Sequence, residues 1–167
     1  MRAVIQKVTR ASLSIDSEVY SQIGEGLMVL LGIEDADTKE DIEWLADKIR
    51  KLRIFEDENG VMNLSVEDVK GEMMIVSQFT LHASTKKGNR PTYIRASKPE
   101  FSKPMYESFI ARTREVFAGK VATGGRALMR VLLPTPELPE SRVVLPVREA
   151  RTLSSPSPLR ADTQEHS

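Results

Sequence analysis

Ser77-Gln78-Phe79-Thr80 is the stretch of this 167-residue chain whose side chains could do chemistry. Two hydroxyls and an amide arrive directly after four apolar residues, Met73 to Val76, that include β-branched Ile75 and Val76. Such a run reads as a strand buried on both faces. A hydroxyl or amide carried into a core without a partner costs roughly 1–3 kcal/mol. Two arrangements avoid that cost. In one, this is an ordinary strand end whose polar groups satisfy one another. In the other, the groups line a cavity that a ligand fills. The Thr80 hydroxyl is also a candidate nucleophile, but a threonine needs an adjacent base to act as one. His82 lies two residues on, and on the same face if the strand continues.

Just beyond, the chain turns basic and irregular over Thr85-Lys-Lys-Gly-Asn-Arg-Pro91. Gly88 and Pro91 interrupt regular structure. Lys86, Lys87 and Arg90 therefore form a small cationic loop beside the polar end of the central strand. The plainer interpretation is a solvated surface loop. The sharper one is a phosphate grip, because Lys and Arg contacts to phosphates supply most sequence-independent nucleic-acid affinity.

Composition removes other chemistries. There are no cysteines, so disulfides, thiolate metal sites and a cysteine nucleophile are excluded together. Two histidines, His82 and His166, make a metal centre or a histidine triad improbable, and no cofactor is expected. Lys plus Arg and Asp plus Glu number 24 each, so no global field steers the chain to nucleic acid or membrane. An RNA contact has to come from a local patch. No apolar run reaches the roughly 18 residues of a membrane span. The start of the chain does not read as a signal peptide, and a cytoplasmic protein is the expectation.

The elements that position the motif follow from periodicity. Ala3 to Val8, Ser12 to Ile15 and Leu27 to Ile33 read as strands, and Gln22 to Gly26 as turn material. Three short strands in a row point to an antiparallel sheet or partial barrel. Ile42, Leu45, Ala46, Ile49 and Leu52 recur at helical spacing, so 39–52 is an amphipathic helix with Trp44 at the edge of its stripe. Thr38 and Asp41 resemble a capping box. Arg53 to Phe55, an Asn59-Gly60 turn and Val61 to Val66 make a hairpin. A second helix runs from a cap near Ser102 to about Phe117, with Pro104 in its first turn. Six of the nine prolines fall at 134–158, and no glycine follows Gly125. The domain is expected to span 1–124, or to extend to about 150. Residues 125–167 read as an atypical, Pro-rich and largely disordered tail, in which Ala127 to Leu133 and Val143 to Leu145 remain candidate strands.

Several stretches taken together resemble the D-aminoacyl-tRNA deacylase family. They are Met1 to Ser12, Leu30 to Ile33, Arg53 to Asp57, Gly60 to Asn63, Ser77 to Leu81, and Lys87 to Pro91. The similarity covers residues 1 to about 124 in the family's order. It implies an α+β fold, with antiparallel β-sheets forming a barrel-like body, two flanking helices and a homodimer. It implies hydrolysis of the ester joining a D-amino acid, or glycine mischarged on tRNA(Ala), to the 3′ end of tRNA, with no metal. Ser77, Gln78, Phe79 and Thr80 match the family's pocket floor. There, backbone N–H groups hold the carbonyl while the RNA 2′-hydroxyl helps activate water, and Thr80 positions rather than attacks. Lys86, Lys87 and Arg90 would touch the acceptor stem. Lys7 is expected among the substrate- and tRNA-binding residues with them; it stands where the family usually has an arginine bracing a loop, and lysine lacks that planar fork. The family's Gly-Pro-Val-Thr segment, which rejects L-amino acids, has no counterpart after Gly125. Thr123 to Met129 resembles the preceding family segment only remotely. The ending reads as frameshifted or diverged. The alternative function is therefore a catalytically impaired homologue that only dimerises or binds tRNA ends.

Overall fold

The computed structural model describes residues 1–15, 17–86 and 88–124, together with short strands at 130–132 and 142–146. Ten strands are present among them: β1 (Arg2–Val8), β2 (Ala11–Ile15), β3 (Glu18–Ile23), β4 (Gly26–Gly32), β5 (Phe55–Glu56), β6 (Met62–Leu64), β7 (Glu72–Ser77), β8 (Val121–Gly124), β9 (Arg130–Leu132) and β10 (Arg142–Pro146). Two α-helices, α1 (Lys39–Lys51) and α2 (Pro99–Val116), and a 3₁₀ turn, Phe79–His82, complete the described elements.

β4 and β7 are the apolar runs Leu27-Met-Val-Leu-Leu31 and Met73-Met-Ile-Val76, and they sit centrally in a five-stranded sheet of order β10-β1-β4-β7-β8. Their side chains alternate between two cores. Leu27, Val29, Leu31, Met73 and Ile75 pack with Ile42, Leu45 and Ile49 of α1 and Phe109 and Ile110 of α2. Met28, Met74 and Val76 face the other way and pack with Leu13 of β2 and Ile23 of β3, which belong to a second sheet of order β3-β2-β9. The layers are therefore helices, five-stranded sheet and three-stranded sheet. A strand covered on both faces has to be apolar throughout, and that produced the continuous pattern in the sequence.

The α+β class holds, but the sheet is not purely antiparallel. β1 pairs antiparallel with β4 and β10, whereas β4–β7 and β7–β8 are parallel. The chain leaves β4, crosses through α1 and the β5–β6 hairpin, and re-enters the sheet in the same direction. Hydrophobic periodicity carries no information about strand direction, so this feature lies outside what the pattern records. At the first residue of β4, Gly26 lies so close to β7 that an added Cβ would sit 1.8 Å from the Glu72 carbonyl oxygen.

Several boundaries move. α1 matches its expected span, and the Thr38 N–H and hydroxyl both donate to the Asp41 carboxylate, at 2.8 and 3.1 Å. Trp44 is half-buried against the helix-side core. α2 begins at Pro99 rather than near Ser102, so Pro104 lies in its second turn. Pro99 at the first helical position is the start signal that outranks Ser102. β3 and β8 were not foreseen. β3 is largely exposed, with Val19 60% and Tyr20 57% accessible, and lacks an apolar alternation. In the hairpin, Asp57 accepts the N–H groups of Asn59 and Val61 around Gly60, whose φ of 72° suits glycine. Beyond Gly124, β9 pairs with β2 and β10 with β1, so both candidate strands of that region are present. The rest of the expected Pro-rich tail lies outside the described residues.

Candidate functional site

β7 ends at Ser77, where its pairing with β4 ends. β4 stops at Gly32, one residue past its last pair with β7, Leu31–Ser77, and on the other side the last described pair is Val76–Gly124. One further ladder bond, Gln78 N–H to Leu31 O at 2.8 Å, carries the chain past the strand. With no further ladder partner among the described residues, the backbone bonds to itself in the 3₁₀ turn Phe79–His82. Within it the Leu81 N–H reaches Gln78 O at 3.4 Å, and the Ala83 N–H closes the turn on Thr80 O at 3.1 Å. The strand thus does not continue to His82, which was the condition for His82 and Thr80 to share a face.

This turn decides where the motif's groups point. The first N–H groups of a 3₁₀ helix have no intrahelical acceptor, and no side chain caps this one. The Phe79 and Thr80 amides thus form a pair of donors at the end of a rigid strand. Ser77 is exposed, Phe79 is 58% exposed, and Gln78 and Thr80 are half-buried. Gln78 Nε2 donates to Thr80 Oγ1 at 2.5 Å, so the two polar side chains brace each other. The Phe79 ring meets Tyr93 edge-on, with centroids 5.5 Å apart and planes at 72°. The motif is therefore partly self-satisfied and partly open, a mixture of the two arrangements its sequence allows.

His82 does not share a face with Thr80. On a 3₁₀ turn two residues are separated by about 240°. His82 points inward and is 2% exposed, packed against Gly32, where an added Cβ would lie 3.0 Å from ring atoms Cδ2 and Nε2. Neither ring nitrogen makes a hydrogen bond among the described residues. Burial holds the imidazole pKa below its ordinary value, and the Met1 ammonium and Arg2 push the same way. Glu34 and the Gly32 backbone oppose them, although the latter falls short of hydrogen-bond geometry. Arg2 Nη1 donates to Leu81 O at 2.5 Å, a tie between β1 and the turn that no motif announces.

The cationic loop sits next to the turn in the chain and is pinned at its neck. Ser84 and Thr92 form an antiparallel bridge, each N–H donating to the other's carbonyl at 2.9 Å. Lys86 and Arg90 are exposed on the loop so closed, while Lys87 lies outside the described residues. Arg95, just after the bridge, donates to Glu34 at 2.9 Å. Burial raises the Glu34 pKa, but Arg95 and the Met1 ammonium outweigh it and hold the carboxyl below its usual range.

Lys7 is placed elsewhere. It pairs in register with Leu27, which pairs with Met73, at the start of β7 rather than its end. Its Nζ lies 3.3 Å from Glu56 of β5. Within one chain Ser77, Gln78, Phe79 and Thr80 lie together on the strand end and its turn, the Phe79 ring touches Tyr93 just past the cationic loop, and Lys7 lies at the opposite end of the sheet. Among the described residues no group of three or more His, Cys, Asp or Glu side chains is arranged to hold a metal ion. No described helix is long and apolar enough to cross a membrane.

A family model for D-Tyr-tRNA(Tyr) deacylase matches residues 4–133. A protein named D-aminoacyl-tRNA deacylase from Flavobacterium johnsoniae is 58% identical over 124 residues, which is 74% of this chain and 83% of that protein. A protein of the same name from Parabacteroides distasonis is 60% identical over the same shares. Among solved structures, the c-Myc DNA unwinding element binding protein superposes with a TM-score of 0.78 at 37% identity, over 86% of this chain and 97% of its own. A probable eukaryotic D-amino acid tRNA deacylase, 17% identical over 86% and 98%, has a TM-score of 0.67 and shares the fold. On the family model and these identities together, the chain belongs to the D-Tyr-tRNA(Tyr) deacylase family.

Proposed function

We propose that this chain hydrolyses the ester that joins a D-amino acid to the 3′ end of tRNA, and the same linkage to glycine mischarged on tRNA(Ala). The observation that carries the proposal is the 3₁₀ turn at the end of β7. It offers the uncapped Phe79 and Thr80 N–H groups beside an exposed aromatic ring, with Lys86 and Arg90 on the adjoining loop. Water adds to the ester carbonyl carbon, and the two amides hold the oxygen that becomes negative. Preorganised donors of this kind are worth about 2.7–4 kcal/mol each in measured cases. The tetrahedral species collapses with cleavage of the bond to the ribose 3′-oxygen, which takes up a proton. The adjacent 2′-hydroxyl of the RNA is placed to help activate the water. Thr80 keeps the turn in shape through Gln78. Ser77 and Phe79 border the bound adenosine, and the cationic loop grips acceptor-stem phosphates.

The working form is a homodimer in the cytoplasm. Phe79, Tyr93 and Ile94 are 58%, 41% and 89% exposed on the isolated chain, an apolar rim beside the turn that a second copy would cover. Incubating the purified chain with D-Tyr-tRNA, L-Tyr-tRNA and Gly-tRNA and following ester release tests the proposal. Release of the D and glycyl forms alone supports the intact function. Release of all three keeps the hydrolase and removes chiral selection, as the missing Gly-Pro-Val-Thr segment would allow. No release above background leaves the second function, a homologue that only dimerises or binds tRNA ends.

A further inference from the structure

Behind the turn lies a buried ring whose nitrogens make no hydrogen bond among the described residues. The fold places His82 at 2% exposure, with Nδ1 and Nε2 unpaired among the described residues. A neutral imidazole carries one donor and one acceptor. Leaving such groups unmade is costly, so a side chain kept there has a reason to be kept. Its position supplies one. A 3₁₀ turn of four residues is weak by itself and has to be held from outside. Three anchors do so here: the Gln78 N–H on Leu31 O, Arg2 on Leu81 O, and the His82 ring packed against Gly32. The first two hold the ends of the peptide segment, and the ring fills the space between the turn and β4.

We propose that His82 is a positioning residue for ester hydrolysis: its uncharged ring, wedged between Gly32 and the turn, sets the direction of the Phe79 and Thr80 N–H groups. This rests on the deacylase function proposed for the chain. The groups facing the ring from the elements packed on it are Arg2 of β1, the Met1 ammonium and Glu34 after β4. Behind these, Asp37 binds the Met1 ammonium and Arg95 binds Glu34. A proton on the ring would place a third positive charge beside Arg2 and Met1 in a desolvated space. The charged ring would be drawn out toward Glu34, and the wedge would be lost.

The sign follows from the depressed pKa. The unfolded chain takes up the proton near the ordinary value of about 6.5, and the folded chain only below that. Stability is therefore full above about 6.5 and declines as pH falls toward the lowered folded value. Within the folded state, the turn loosens only as pH passes through that lowered value.

The test is ester release from D-Tyr-tRNA between pH 5 and 8, in single turnover and in steady state over a range of substrate concentrations, background subtracted, with a melting curve at each pH. His82→Ala empties the space, and a misplacement of about 1 Å is worth up to about 100-fold in rate. A loss of about 10–100-fold in kcat with KM little changed is expected. His82→Phe refills the space with a ring that cannot charge. It should recover at least about tenfold of the alanine loss, and its rate should lack the wild-type fall at acid pH. Gly32→Ala pushes on the same ring from the strand side and should lower kcat in the same way. The proposal is overturned if His82→Phe keeps the wild-type acid fall, or if His82→Ala lowers only the melting temperature. A wild type that releases no ester overturns the deacylase function instead. Histidine NMR then decides the positioning role by itself, since the chain has two histidines. One should titrate below the ordinary value, with amide exchange at Phe79 and Thr80 rising as it does. A ring that titrates normally, or amides that ignore it, would end the idea.

Discussion

Replacing Thr80 by alanine separates two roles that differ by orders of magnitude. In the structure the Thr80 hydroxyl accepts from Gln78 Nε2 at 2.5 Å, and neither nitrogen of His82, on a different side of the turn, bonds to it. Among the described residues no base therefore stands ready to take its proton, and its work is to lock Gln78 onto the turn. A single hydrogen bond of this kind contributes about 0.5–1.5 kcal/mol net. Spread over the geometry of the Phe79 and Thr80 amides, that is a loss of roughly 2–12-fold in the hydrolytic rate constant. Removing a true nucleophile costs on the order of 10⁶-fold, as for a catalytic serine. The assay is rapid-quench release of D-tyrosine from D-Tyr-tRNA with enzyme in excess, so that binding and product release drop out. Thr80→Ala should fall by about 2–12-fold, and Gln78→Ala, which removes the other end of the same bond, by a similar amount. The double variant should be little worse than either, because both remove one interaction. A loss above about 10³-fold with an unchanged melting curve, or an acyl group trapped on Thr80, would refute the reasoning.

Further predictions concern the loop and the scaffold. Lys86→Glu with Arg90→Glu should weaken tRNA binding without changing the melting temperature, and should flatten the salt dependence by about 0.7–0.9 log units for each phosphate the loop no longer neutralises; fluorescence titration at several salt concentrations reads both. Gly26→Ala places a methyl group 1.8 Å from the Glu72 carbonyl oxygen, so β4 and β7 must part at their first paired residues. The cost is about 3 kcal/mol, a fall in Tm of about 6–12 °C by calorimetry. Tyr106 donates its hydroxyl to Ile75 O at 2.7 Å and reaches Gly124 O at 3.3 Å, and burial pushes its pKa up to about 12. Tyr106→Phe should cost about 1–1.5 kcal/mol and abolish the high-pH change in phenol absorbance assigned to that ring.

The sequence alone determined the elements whose cause is local. The apolar runs in β4 and β7 had to be strands covered on both faces, and the 3.6-residue stripe with its Thr38–Asp41 cap had to be α1. The Asn59-Gly60 turn had to fold the hairpin back. The Ser77 to Thr80 motif was legible too, because polar groups after a buried run need an explanation. Tertiary structure decided everything that depends on a neighbour distant in sequence. The parallel pairing of β7 comes from the crossover through α1, which hydrophobic pattern does not encode. The end of β7 at Ser77 follows from where β4 stops, and that termination turns a strand into a donor-bearing 3₁₀ turn. The same rotation takes His82 away from Thr80 and buries it against Gly32, and it sends Arg2 to the Leu81 carbonyl across 79 positions of chain. Local residue types record what a segment prefers to be. The direction in which its groups finally point is fixed by the hydrogen-bond partners that other segments offer or withhold.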